Sequence, residues 1–201
     1  EGGSVVGVTV GDAKIDDSKL KKNVLARGVD ELFMTADDAC ADMDAHATAA
    51  ALADLLGKVG EYDLILCGDG SADNYAQQVD VQLAAKLGLP VVNGAAKIEL
   101  GAGVATVERV LEDVVETVEV PLPAVISVVP DVALPRIPGM KDILAAGKKP
   151  MNVSAADGAY AAALEVVDCK APEQADRKLE IIDASEDGAI EKFAAAIKAA
   201  L

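Results

Sequence analysis

Short β-branched, apolar runs alternate with helix-period segments over the first part of this chain, and that alternation limits the folds open to it. Val5-Val6-Gly7-Val8-Thr9-Val10 reads as a buried strand ending at Gly11-Asp12. Asp16 to Ala26 follows as a helix with Leu20, Val24 and Leu25 inward, stopped by Gly28. Glu31 to Met34 is a short strand. Asp42 or Asp44 caps the next helix, where Thr48, Leu52, Leu55 and Leu56 recur at helical spacing up to Gly57–Gly60. Asp63 to Cys67 is a strand apolar on both faces, and Ala76 to Leu87 is a helix closed by Gly88. Short links between such units imply a parallel sheet covered by helices on both sides, with right-handed crossovers.

The pattern then changes. Ala96–Leu100, Ala105–Leu111 and Glu116–Val120 alternate polar and apolar residues, as in an antiparallel meander with one wet face. Ala124 to Val129 is again wholly apolar and reads as a central strand. Between Pro130 and Pro150 lies a proline-punctuated stretch with a helical core, Lys141 to Ala146. The expected division is an α/β domain over residues 1–150 and a C-terminal arm over 151–201. The arm holds a possible strand, Glu165–Cys169, and a final helix capped by Ser185, with Ile190, Phe193, Ala194, Ile197 and Leu201 on one face.

Composition removes several functions. With 201 residues, 52% of them hydrophobic, the chain can bury a core and is not a disordered segment. A net charge of −16 is the wrong sign for binding nucleic acid or an anionic membrane surface. Only 2% of residues are aromatic, which argues against base stacking on a single strand. No apolar run reaches the roughly 18 residues of a membrane span, and no signal peptide is visible. Cys40, Cys67 and Cys169 form no CxxC, so zinc spacing is absent and no metal is expected. Scattered thiols suit a reducing compartment, here the cytoplasm. The chain begins at Glu1, without methionine and just ahead of a strand, so an upstream segment is expected.

In open parallel sheets, ligands sit beyond the carboxyl ends of strands. Two such ends are rich in candidates. One is Gly11-Asp12-Ala13. The other is Gly68-Asp69-Gly70-Ser71, continuing through Asp73, Asn74, Gln77 and Gln78. Glycine permits close backbone approach, and a following helix points unpaired N–H groups and a positive dipole end at the same place. Asn74, Gln77 and Gln78 add neutral hydrogen-bonding groups. Asp69 and Asp73 oppose an anion unless they face away or act as caps. Neither the P-loop nor the GxGxxG pattern is present, so a nucleotide loop and a plain capped strand-to-helix loop stand level here. His46, the single histidine, has no Ser or Cys partner for a triad and reads as a surface or cap residue. Cys67 reads as a small core residue. Glu108, Arg109, Glu112 and Asp113 read as a solvated face, and Lys148-Lys149 as a structural or partner-contacting basic spot. No acid–base pair stands out. These features favour a carrier or binding protein over a self-contained enzyme.

The run from Asp63 to Val79 (DLILCGDGSADNYAQQV) resembles the nucleotide-loop signature of electron transfer flavoprotein beta subunits, with a Fix-type, carnitine- or acyl-CoA-linked character. Further segments agree in order: Val24–Asp30 (VLARGVD), Leu89-Pro90, Thr106–Arg109 with Leu122–Val125, and Leu134–Ile143 (LPRIPGMKDI) followed by Lys148-Lys149-Pro150. The likeness extends over most of the chain to Pro150.

This resemblance implies a Rossmann-like α/β nucleotide-binding domain, of the adenine-nucleotide-hydrolase and stress-protein type, with an antiparallel hairpin insertion and a C-terminal helical arm. It implies pairing with an alpha subunit that carries FAD, exchange of electrons with an acyl-CoA-type dehydrogenase or reductase, and a place in the bacterial cytoplasm. This subunit would hold AMP or a second FAD. The implied cofactor contacts are Gly68 through Val79, with Gln77, Gln78 and Val79 at the phosphate, and Gly11, Asp12, Ala13 and Lys14 toward the adenosine. Pro135, Arg136, Met140 and Ile143 would form the recognition loop, with Met140 as its apolar anchor, and the final helix would embrace the alpha subunit. The likeness also implies a strand and helix ahead of Glu1. Two positions depart from the family pattern: Tyr75 stands where an acidic residue is common, and Asp80 where glycine is common. The alternative is a stand-alone adenine-nucleotide sensor of the universal-stress type. An ATP-pyrophosphatase would need a Ser-Gly-Gly-x-Asp-Ser loop, which this sequence lacks.

Overall fold

A computed structural model describes residues 2–72, 74–174 and 179–200. It divides into two compact units, Glu1–Glu165 and Val166–Leu201. In the first unit, β1 (Val6–Gly11) pairs in parallel with β2 (Glu31–Ala36), and β2 pairs in parallel with β8 (Met151–Ser154). A second sheet has the order β3-β7-β4-β5-β6. There β3 (Leu64–Gly68), β7 (Ala124–Val128) and β4 (Val91–Leu100) run parallel. The strands β5 (Val104–Val110) and β6 (Val115–Pro121) add the antiparallel meander. The α/β fold class, the meander and the central place of β7 agree with the sequence expectation. The single parallel sheet does not: β1 and β3 do not pair, and each is the outer strand of its own sheet.

Helices cover both faces. In β2, Leu32 and Met34 are buried with Leu25 of α1 (Ser18–Leu25) and Ala146 of α4 (Met140–Ala146). Val8 of β1 faces the opposite way, as strand alternation requires, and packs in a cluster with Ala49 and Leu56 of α2 (Ala45–Leu56) and Leu83 of α3 (Val79–Leu87). A third cluster joins Val92, Ala95, Val107, Val120 and Ile126 across the second sheet. In α1 only Leu25 is buried; Leu20 and Val24, expected inward, are exposed, because the short helix presents one turn to the core.

Aspartates start the helical turns. Asp17 accepts from the N–H groups of Lys19 and Leu20, and Asp44 from Ala47. Asp12 and Asp37 do the same for the 3-10 turns Ala13–Ile15 and Asp38–Cys40. These bonds satisfy N–H groups that the helix geometry leaves without partners. Five elements differ from expectation. The strand expected from Ala96 begins at Val91. The helix expected from Ala76 begins at Val79. A strand forms at Met151–Ser154, which extends the first unit beyond Pro150. The strand expected at Glu165–Cys169 is absent. In the second unit, α5 (Ala189–Ala200) begins after Gly188, so Ser185 bonds to Asp183 instead of capping it. Ile190, Phe193 and Ile197 lie on one exposed face of α5; Leu201, expected on that face, lies outside the described residues.

Candidate functional site

The strand-end loop after β3 leads from Gly68 to the start of α3 at Val79. Gly68 has open space where a side chain would begin. The Asp69 N–H donates to the Val128 carbonyl at 3.1 Å, which fixes the first step of the loop against β7. Gly70 lies under the Tyr75 ring, 2.6 Å from where a Cβ would stand. The Tyr75 hydroxyl donates to Asp69 at 3.3 Å, and the Tyr75 N–H to the Ser71 carbonyl at 3.0 Å. The loop thus closes on itself and occupies one of its acids internally. Tyr75 and Gln77 have φ of 45° and 52°, in the left-handed region that side-chain-bearing residues seldom enter. These conformations delay the helix until Val79. Asp73 lies outside the described residues.

At the start of α3, Gln78 occupies the cap position and makes no side-chain cap. Its amide instead accepts from Gln82 at 3.2 Å. Among the described residues the first N–H groups of α3 have no side-chain acceptor, a ready place for an anion. Ser71, Asn74, Gln77 and Gln78, in the loop ahead of it, are all exposed.

One residue beneath the loop escaped the sequence reading. Ser127 of β7 is fully buried, and its Oγ has no hydrogen-bond partner among the described residues. It stands in register with Cys67. Asp80 is buried in the first turn of α3. Burial and, secondarily, the Asp80 charge push the Cys67 thiol up to about 11. At neutral pH that thiol is protonated, and Cys67, half-buried, packs against the apolar cluster of α2 and α3. The available signal for Ser127 was a serine inside an otherwise apolar strand.

The other strand end is organised differently. A Cβ on Gly11 would meet the Ile15 side chain at 3.1 Å, so this glycine serves local packing. Asp12 is engaged by the Lys14 N–H at 3.1 Å and by the Lys14 ammonium at 3.2 Å. The Ala13 N–H donates to Asp38 at 3.4 Å. A cleft of about 820 Å³ between β1 and β3 is lined by Gly68 and Val79, the two ends of the β3 loop. The residues lining it do not include Gly11, Asp12, Ala13 or Lys14.

The segment leading into α4 is the most exposed apolar surface of the first unit. Leu134 is 97% exposed, Ile137 90% and Met140 76%. Leu144, which the sequence reading passed over, is 69% exposed, whereas Ile143 is partly covered. Arg136 pairs with Asp142 at 2.8 Å, and Asp142 also accepts from the Gly139 N–H, which shapes the turn. Pro135 is exposed beside them. Lys149 is structural: its ammonium donates to the carbonyls of Leu25 and Val29, closing the end of α1. The charges of the meander form a surface network, with Lys97 pairing Glu99 and Glu108, and Arg109 pairing Glu116. Among the described residues no group of three or more His, Cys, Asp or Glu side chains could hold a metal ion. No helix among them is long and apolar enough to cross a membrane.

A helix-covered parallel α/β domain, with its candidate site on a strand-end loop at an uncapped helix, is the Rossmann-like class of protein. Within that class, the electron transfer flavoprotein domain model matches residues 1–159, and the chain belongs to that family. Its members are electron carriers that bind flavin or nucleotide cofactors, and they work with dehydrogenases.

Proposed function

We propose that this chain is a beta-type electron-carrier subunit. It binds AMP or a second FAD at the loop after β3, pairs with an alpha-type subunit holding FAD, and exchanges electrons with an acyl-CoA-type dehydrogenase or reductase in the bacterial cytoplasm. The carrying observation is the start of α3, where Gln78 makes no side-chain cap, preceded by a loop whose Asn74, Gln77 and Gln78 amides are exposed. A phosphate fits there, because the helix end supplies free N–H groups and positive dipole character. Asp69 is held by Tyr75, and Asp80 is buried beneath the helix start, so neither carboxylate needs to face the bound anion. A flavin, when bound, supplies reversible electron uptake; the chain's own groups bind and orient it. On this reading Gly11–Lys14 approach the adenosine side, the exposed residues around Met140 contact the dehydrogenase, and the apolar face of α5 embraces the alpha-type subunit. The Fix-type specialisation belongs to the same proposal. A stand-alone sensor would have no use for the exposed apolar segment before α4.

The test is to purify the chain with its partner, denature the complex in acid and identify the released nucleotides. One FAD with one AMP is expected for simple carriage, and two FAD for electron bifurcation. A colourless, active monomer that releases no nucleotide would overturn the assignment. Gln77→Ala should lower the nucleotide retained by this subunit about tenfold, the loss of roughly one hydrogen bond to a charged group. Unchanged content would remove Gln77 from the site.

A further inference from the structure

Positive charge gathers on one layer of the first unit. Residues 18–27 and 134–150 together hold eight of the chain's 18 lysines and arginines and one of its 34 acidic residues, in a chain that carries −16 as a whole. The two segments lie side by side on one face of the first sheet. Leu25, Ala26 and Ala146 share a buried cluster with Leu32 and Met34 of β2. The Lys149 ammonium donates to the Leu25 and Val29 carbonyls. A Cβ on Gly28 would stand 3.9 Å from the Arg136 guanidinium, and one on Gly147 would stand 3.6 Å from the Lys22 stem. The outer sides of α1 and α4 therefore belong to one surface.

Few of these cations have a local task. Lys149 is structural, Lys21 pairs with Asp16, and Arg136 pairs with Asp142. Lys19, Lys22, Lys141 and Lys148 make no ion pair among the described residues. Lys19 and Lys22 stand three apart on α1, where like charges are neighbours and repel, so helix stability does not account for them. Exposed apolar side chains lie among these cations. Leu20 and Val24, one turn apart on α1, face outward, as do Leu134, Ile137, Met140 and Leu144 of the neighbouring segment. The first two were expected inward; their exposure gives α1 an apolar stripe with ammonium groups beside it.

We propose, resting on the reading that the segment around Met140 contacts a dehydrogenase, that the outer side of α1 is the other half of that docking surface. The partner meets it with a carboxylate-rich face set around an apolar recess. Charge complementarity carries the choice of occupant. A chain of −16 repels an acidic protein in most orientations, and only the α1–α4 layer presents a positive excess to it. Charge thus selects this face during encounter, and the apolar side chains hold it afterwards. An anionic lipid surface is the poorer occupant, because a broad plane would also meet the acidic residues that lie outside the layer.

The test follows flavin reduction in the purified complex by an acyl-CoA dehydrogenase from the same cells, as a second-order rate at about 0.02 M and about 0.5 M salt. The parent rate should fall on the order of tenfold at the higher salt. Lys19→Glu places an acid in the first turn of α1, which favours the helix, so the variant keeps its fold. It should lower the low-salt rate about fivefold to tenfold and change the high-salt rate by less than about twofold. Lys86→Glu, on α3, alters the net charge equally and should change neither rate by more than about twofold. Leu20→Ala combined with Val24→Ala should slow transfer at both salt concentrations. A parent rate indifferent to salt, or equal effects of Lys19→Glu and Lys86→Glu, would overturn the proposal. If Met140→Glu slows transfer and the α1 variants do not, the α1 surface is refuted while the dehydrogenase reading stands; if none of them slows it, both fall. Sedimentation of the complex with phosphatidylglycerol vesicles, abolished by Lys19→Glu, would assign the face to lipid and overturn the proposal as well.

Discussion

Ser127 places a hydroxyl where a methyl group would cost nothing. Its neighbours along β7 are apolar, it is fully buried, and its Oγ finds no partner among the described residues. An unsatisfied buried hydroxyl costs about 1–3 kcal/mol, and removing it leaves almost no void. Ser127→Ala should therefore hold or raise the melting temperature of the nucleotide-free chain, by about 2–4 °C per kcal/mol recovered. Thermal unfolding followed by circular dichroism checks this. A fall of similar size would mean that the hydroxyl has a bound partner, such as an ordered water beneath the loop. Tyr75 illustrates a different economy at the same scale. It sits at positive φ, covers Gly70 and engages Asp69. This bulky side chain thus has a local role, which its identity alone did not disclose.

Carboxylates hold the segment between β8 and the end of the first unit against the elements beneath it. Asp37 accepts from the Ala156 N–H at 3.1 Å, and Asp44 from Ala163 and Leu164 at 2.7 and 3.0 Å. Asp54 accepts from the Tyr160 hydroxyl at 2.8 Å, while Lys58 pairs with Asp157 at 2.7 Å. Asp37 and Asp44 also cap a 3-10 turn and α2, so each carboxylate serves two elements. Backbone N–H groups hold both below the ordinary aspartate value, those of Ala39 and Ala47 most strongly. A lowered folded pKa contributes stability that is complete above the unfolded value near 4 and is lost as pH falls through the folded value. The Ala156, Ala163 and Leu164 amides should accordingly lose protection below about pH 4, after correction for intrinsic exchange. Asp44→Asn should remove the acid dependence at Ala163 and Leu164 and leave it at Ala156. Protection that ignores acid in the parent chain would show that other contacts secure the segment. At this scale the sequence made α2, the meander and β7 legible, because each carries an unbroken period or an unbroken apolar run. It concealed β8, whose four residues are too few to show a period. It blurred the start of β4, which pairs in parallel with β7 through its first half and antiparallel with β5 through its second, with a shift of register between Ala95 and Lys97. The start of α3 was misplaced because Ala76, Gln77 and Gln78 favour a helix by propensity, whereas the left-handed Tyr75 and Gln77 forbid one. Of the candidate site, the loop and its exposed amides were readable, but the buried Ser127 and Asp80 depend on which face of β7 and α3 turns inward.

The whole molecule separates acidic charge from apolar contact. Four of the 34 acidic residues behind the net charge of −16 act locally, with Asp12, Asp17, Asp37 and Asp44 at the starts of helical turns. The exposed side chains of Leu134, Ile137, Met140 and Leu144 form the opposite kind of surface, and exposed apolar groups gathered on one segment mark contact with another protein. Lys149 anchors the end of that segment to α1, and Arg136 with Asp142 shapes its turn, so the apolar side chains are offered from a fixed base. The segment is remote in sequence from the β3 loop, which allows partner recognition and cofactor retention to be separated by mutation. Met140→Glu puts a charge at the centre of the apolar segment, where a buried contact is worth about 2 kcal/mol or more. Electron transfer from the dehydrogenase should fall on the order of 10- to 100-fold, measured as flavin reduction against dehydrogenase concentration. The flavin and nucleotide content of the purified complex should stay as in the parent, because Met140 lies outside the loop and the first-unit core. Loss of transfer together with loss of nucleotide would assign Met140 to assembly of the complex, and unchanged transfer would move the dehydrogenase contact to another face.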